Sequence, residues 1–176
     1  MKVGSVLAIA VIVVALVGVL LTKTHRAHTD APHTSADTVP AGMMRYQNPA
    51  YGFSLIIPET MDVSSFDEPG AAQTVRFETP GSDPPLDFQL YIIPYAPGTI
   101  TSSQIAKDTH GTATGTPQEV VLGSGVHGLI FTSTHPVMGA MREVWFLRND
   151  HLIEATTYAG NDTWLAGILN TLELDE

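Results

Sequence analysis

Hydrophobic positions fall along this chain in two regimes. From Val3 to Leu21 they run almost unbroken, sixteen of the nineteen residues in VGSVLAIAVIVVALVGVLL being apolar. From residue 45 onward they alternate with polar residues or recur at helical spacing. Nineteen residues rising about 1.5 Å each make a helix of roughly 28 Å, close to the hydrocarbon thickness of a bilayer at about 30 Å. The run is longer than the apolar core of a cleaved secretory signal, about 7–15 residues. No small-x-small site follows it, and Thr22, Lys23, Thr24, His25 and Arg26 form a polar, basic stop. The pattern predicts an uncleaved N-terminal transmembrane anchor over residues 1–21, touching the membrane through residues 3–21.

Residues 22–44, TKTHRAHTDAPHTSADTVPAGMM, carry no apolar period and read as a flexible linker. Beyond it the pattern turns to strands. Phe53–Ile57 ends at Pro58 and follows the turn-like Asn48–Gly52, with Arg45–Gln47 as a short pairing strand. Thr74–Glu78 alternates between two Gly/Pro-rich breaks, and Leu86, Phe88, Leu90 and Ile92 keep period two up to Pro94. Thr101-Ser-Ser-Gln104 has the form of a capping box and Gly111 a stop, which predicts a helix over 102–110. Pro117–Leu122, Val126–Thr132, Met141–Arg148 and Leu152–Tyr158 form a four-strand meander. Asn161-Asp162 then caps a closing helix with Leu165, Ile168, Leu169 and Leu172 on one face and Trp164 beside it. Such an order predicts an α+β domain, an antiparallel β-sheet flanked by helices, over residues 45–176.

Composition narrows what such a domain does. The 176 residues include no cysteine, which excludes disulfides, thiolate catalysis, iron–sulfur clusters and a lipidated N-terminal cysteine. The formal net charge is −10, and within 45–176 five bases face sixteen acids. That balance argues against nucleic acid, whose binding needs clustered Lys and Arg. Lys2 with the α-amino group nearly balances Lys23 and Arg26, so basic residues do not orient the anchor. Scarce lysine, with only Lys107 beyond the linker, and abundant Thr, Gly and Pro favour a domain outside the cytoplasm.

Tyr46-Gln47-Asn48, then Tyr51-Gly52-Phe53-Ser54, then Ile57-Pro58 resemble the opening hairpin of PsbP-like domains. A late meander followed by an amphipathic helix, Trp164 to Leu174, is similar to the family's close. The chain departs from it at Glu59, Thr60 and Met61, where family members often carry a tryptophan. The resemblance implies an antiparallel sheet flanked by helices. It also implies a non-enzymatic accessory or binding role, as in an extrinsic subunit of the oxygen-evolving complex and a Ran-binding import factor. No functional residue of either matches a position here.

Candidate chemistry is sparse. Gly123-Ser124-Gly125-Val126-His127-Gly128 has the spacing of a dinucleotide fingerprint, but a strand pattern follows where a phosphate-binding helix belongs, so it reads as a hairpin turn. Ser124 lacks the glycine two residues earlier that a nucleophile elbow requires. His25, His28 and His33 read as solvated linker residues, and His110, His127, His135 and His151 form no i, i+4 pair or H-E-x-x-H pattern. His135 and His151 are expected in exposed loops. Asp83/Asp87 and Asp67/Glu68 read as solvated surface, and Asp62 to Glu68 lacks the order of a calcium loop. Asn161-Asp162-Thr163 is a glycosylation sequon that the helix cap already explains. Tyr46, Tyr51, Phe53, Tyr91, Tyr95, Trp145 and Phe146 read as packing aromatics. No catalytic, cofactor-binding or metal residue is expected. The leading expectation is a non-catalytic, membrane-anchored extracytoplasmic module that binds a protein partner or assists an envelope complex. The alternatives are a hydrolase or metal enzyme with a dispersed site at His127, His135 or His151, and a pocket for a small apolar ligand among the aromatics.

Overall fold

A computed structural model describes residues 39–83 and 85–175. The anchor expected at 3–21 and most of the linker expected at 22–44 lie outside the described residues. Among those described, no helix is long and apolar enough to cross a membrane.

Two antiparallel sheets carry the domain. β1 (Met43–Asn48), β2 (Phe53–Pro58) and the two-residue β10 (Glu173–Leu174) form the smaller, in the order β1-β2-β10. The larger has seven strands, β3 (Asp62–Glu68), β4 (Ala72–Glu78), β5 (Phe88–Pro94), β6 (Ala113–Val121), β7 (His127–His135), β8 (Gly139–Arg148) and β9 (His151–Tyr158), in the order β3-β4-β5-β9-β8-β7-β6. Two helices, α1 (Ser102–Asp108) and α2 (Asp162–Leu169), complete it. The antiparallel α+β architecture expected from the strand pattern is the one observed.

Alternation sets the layers. Phe53, Leu55 and Ile57 of β2 are at most 1% exposed and face Val75, Phe77, Leu90, Ile92, Phe146 and Ile153 of the large sheet across one core, which Leu165, Ile168 and Leu169 of α2 close. Phe77 lies parallel to Phe88 at 4.2 Å between ring centres, and Tyr46 of β1 meets Phe77 edge-on at 4.9 Å. At the other end of the small sheet, Gly123 abuts the backbone of Leu172, just ahead of β10. The small sheet thus crosses the large one from β4, under β1, to the β6–β7 turn. On the opposite face of the large sheet, Ile105 of α1 packs with Phe131, Trp145 and Leu152 in a second cluster.

Local chemistry explains the elements. Thr101 caps α1 as expected, its hydroxyl accepting from Gln104 N at 3.1 Å. Asn149 and Asp150 both have positive φ, 47° and 57°, which is the backbone a two-residue hairpin of matching twist demands. β1 begins at Met43, two residues ahead of the boundary drawn at 45. Two elements depart from expectation. β3, in the acidic segment DVSSFDE, is a regular strand paired residue for residue with β4, and β10 closes the small sheet.

Asn161 does not cap α2, since its side chain makes no cap bond. It is 6% exposed, and its amide donates to Pro85 O at 2.9 Å and Thr157 Oγ1 at 3.3 Å. The start of α2 is served instead by Asp162, whose carboxylate takes a two-pronged contact from Arg142 at 2.9 and 2.5 Å.

Candidate functional site

The residues that carried candidate chemistry in the sequence are spread over the domain. His127 and His135 are the two ends of β7, about 26 Å apart at the usual strand rise. His135 ends a strand rather than sitting in a loop, and its Nδ1 accepts from the N–H groups of Val137 and Met138 at 3.2 and 3.1 Å, closing the β7–β8 turn. His151 opens β9, its Nδ1 donating to Asn149 O at 2.6 Å and its ring edge-on to Tyr51 at 5.0 Å. His110 follows α1 in the left-handed region, φ 53°. Among the described residues, no three His, Asp or Glu side chains are grouped to hold a metal ion.

The Gly123–Gly125 segment is a short 3-10 turn between β6 and β7, as the strand pattern behind it required. Its first glycine answers to packing. A Cβ on Gly123 would stand 2.4 Å from Leu172 O and 2.6 Å from Leu172 N. Asp87 accepts from Thr79 N, and Asp67 and Glu68 point to opposite faces of β3, Glu68 accepting from the Thr74 hydroxyl at 3.3 Å. Phe53 and Phe146 lie in the main core with Tyr46 and Tyr51 packed against it, while Trp145 and Tyr95 belong to the cluster under α1. An apolar groove of about 340 Å³ lies elsewhere, between α2 and the β1–β2 hairpin, lined by Met43, Ile56, Pro58, Trp164, Gly167 and Ile168 among others.

The groups with the most perturbed chemistry are Glu143 of β8 and Glu154 of β9. Register brings them together. Glu143 stands opposite Thr156, and Glu154 lies between Tyr91 of β5 and Trp145 of β8, all on the face that carries α1. Glu143 accepts from the hydroxyls of Ser133 and Thr156 at 2.7 and 2.6 Å. The buried indole N–H of Trp145 lies near the same carboxylate without closing a hydrogen bond of ordinary geometry. Burial raises the Glu143 carboxyl while the Thr156 and Ser133 hydrogen bonds hold it back. Glu154 has no such donors, and desolvation first, then the charges of Glu143 and of Asp108 on α1, push its carboxyl up to about 8. Tyr91 is also raised, by burial and then by the Glu154 and Glu68 charges. Chemically, burial and the Glu143 charge together favour the protonated form of Glu154.

The sequence contained a signal for this pair. Glu143, Trp145 and Leu147 share one alternation class of β8, and Leu152, Glu154 and Thr156 one class of β9. An acid in register with Trp and Leu is turned toward the covered face.

The surface is uneven in a second way. Of the five large exposed apolar side chains, Met44, Val63, Phe66, Val121 and Val137, three lie on edge strands of the two sheets, Met44 on β1 and Val63 and Phe66 on β3. Val63 stands opposite Phe77, and Met44 alternates with Tyr46, so both point toward the space between the sheets. Phe66 emerges on the other face, in line with Thr74 and Tyr91.

No model of a protein family and no curated protein sequence matches this chain. Its structure does have a counterpart. The solution structure of cyanobacterial PsbP (CyanoP) from Synechocystis sp. PCC 6803 superposes with a TM-score of 0.50 at 10% identity, covering 82% of this chain and 98% of that one. With its antiparallel sheets, two helices and element order on the page, the domain that follows the N-terminal segment has a PsbP-like fold.

Proposed function

We propose that this chain is a membrane-anchored accessory module, non-catalytic, that holds its PsbP-like domain outside the cytoplasm and there binds a protein partner. The observation that carries the reading is the exposure of two large apolar side chains on the edge strand β3, Val63 on one face and Phe66 on the other, because apolar side chains beside an unpaired strand edge suit contact with another chain. The anchor rests on the apolar run 3–21 and the placement outside on composition. The accessory role agrees with the resemblance to PsbP-like proteins. Photo-crosslinking in the native cell, with a crosslinker at Phe66, Ile56, Val121 or Val137 in turn, tests the binding role. A discrete adduct of defined mass from one surface and not the others is expected. Absence of an adduct from every position contradicts it. Protease added to cells with a permeabilised outer boundary tests topology, and a domain that stays protected contradicts the placement.

A further inference from the structure

We propose that the outer edge of β3 is the docking surface, and that it takes an extended, basic segment of the partner protein as an added strand. The inference rests on the binding role proposed above and names the surface and the chemistry of what it binds.

The two edges of the seven-stranded sheet are built differently. β6 breaks its register between Thr114 and Gln118, where Gly115 has φ 75° and Pro117 removes an N–H. Bulges and prolines are the usual means of making an edge unusable to another strand. β3 has none of these. Its seven residues pair one for one with β4, without bulge, glycine or proline. Every second residue therefore turns an N–H and a C=O away from the sheet. Among the described residues no strand pairs with that side.

Apolar side chains flank this edge above and below. Val63 is 36% and Phe66 46% exposed, on opposite faces. A strand added here would pair along about 23 Å at the usual rise and lie beside both Val63 and Phe66. Charge selects the occupant. β3 carries Asp62, Asp67 and Glu68 and no base, and the one cation of its neighbour β4, Arg76, is already paired with Glu78. A second copy of the same edge would bring six carboxylates together, whereas a segment bearing Lys or Arg on alternate positions would set its bases on the face of Asp62 and Glu68 and leave its other face to Val63.

The test is hydrogen exchange on the full chain in detergent micelles, read residue by residue in β3 and β6, with a synthetic Lys-Val-Lys-Val-Lys-Val-Lys peptide as the probe. A peptide of the same charge with proline at its centre is the control. Slowing of the outward β3 amides by at least about tenfold with the alternating peptide, little change with the proline peptide and none at β6 is expected. Phe66→Lys is expected to weaken the effect. Proline at Ser64 or at Ser65 is expected to abolish it in whichever variant keeps the parent melting temperature, since one of these two residues directs its N–H outward. Unchanged β3 exchange at saturating peptide, equal slowing at β3 and β6, equal slowing by the proline peptide, or self-association of the chain through β3 would each overturn the proposal. Crosslinked adducts from Ile56 or Val121 with β3 unaffected would remove this surface and leave the binding role standing, while absence of adducts everywhere would remove both.

Discussion

Replacing Glu154 by Gln removes a group whose charge the folded domain disfavours. Its carboxyl moves from an ordinary 4.5 to about 8 on folding. Between those values the folded chain keeps a proton that the unfolded chain has lost, so unfolding releases a proton and stability falls as pH rises, by about 1.4 kcal/mol per pH unit at most. The proton-linked contribution is fully present below about pH 4.5 and is lost as pH rises through about 8. From pH 5 to pH 8 the upper bound is about 4 kcal/mol, and the partial opening of Glu154 to solvent brings the expected loss to about 2–3 kcal/mol. Glutamine is isosteric and does not titrate. Urea unfolding of the two purified chains, followed by tryptophan fluorescence from pH 5 to 9, should show Glu154→Gln gaining about 2–3 kcal/mol on the parent between pH 5 and pH 8.5. Glu143→Gln keeps an acceptor for only one of the Ser133 and Thr156 hydroxyls, the other having to turn and accept from the new NH2, and removes the neighbouring charge, so it should lessen the parent's decline over the same range. A stability difference between Glu154→Gln and the parent that stays constant with pH would refute the reasoning.

Three further substitutions probe the packing. Gly123→Ala should cost about 2–3 kcal/mol in urea unfolding, because its Cβ meets the Leu172 and Asn170 backbone at 2.4–2.7 Å and backbone yields poorly; a neutral result would contradict the close approach. Asn161→Ala should cost about 1–2 kcal/mol by leaving Pro85 O unpaired, and Asn161→Asp should cost at least as much. A helix cap would accept Asp freely, so thermal melts of the two variants separate the roles. Phe77→Ala, at a fully buried ring between Tyr46 and Phe88, should cost about 3–5 kcal/mol in the same assay, with loss of near-ultraviolet circular dichroism.

Much of this fold was legible because local pattern and tertiary role agree. β2, β5 and the β7–β9 meander alternate as half-buried strands must, and Thr101 caps α1 in the expected way. β3 was not legible because an edge strand need bury little. Its two large apolar residues, Val63 and Phe66, are three apart and so fall on opposite faces, which erases the period-two signal. β10 is two residues long and exists only through its pairing with Ser54 and Phe53. Asn161 has the right place for a cap, but Thr157 and Pro85 claim its amide, a contact spanning 76 residues that no local pattern encodes. The Glu143–Glu154 pair was half legible. Alternation within each strand turned both acids to the covered face, while the β8–β9 register and the docking of α1 brought them together. The resemblance carried by Tyr46 to Pro58 led to the right fold because that hairpin lays Tyr46 and Phe53 onto the shared core.

The central claim is that this domain works by binding a protein along β3. It is tested most directly by comparing hydrogen exchange of the chain in native membranes, where a bound partner would be retained, with exchange of the purified chain in detergent. The account predicts that amides of Asp62–Glu68 exchange slowly in the membranes and quickly after purification, while those of β6 are the same in both. Equal β3 exchange in the two preparations, with every difference lying elsewhere or nowhere, would contradict it.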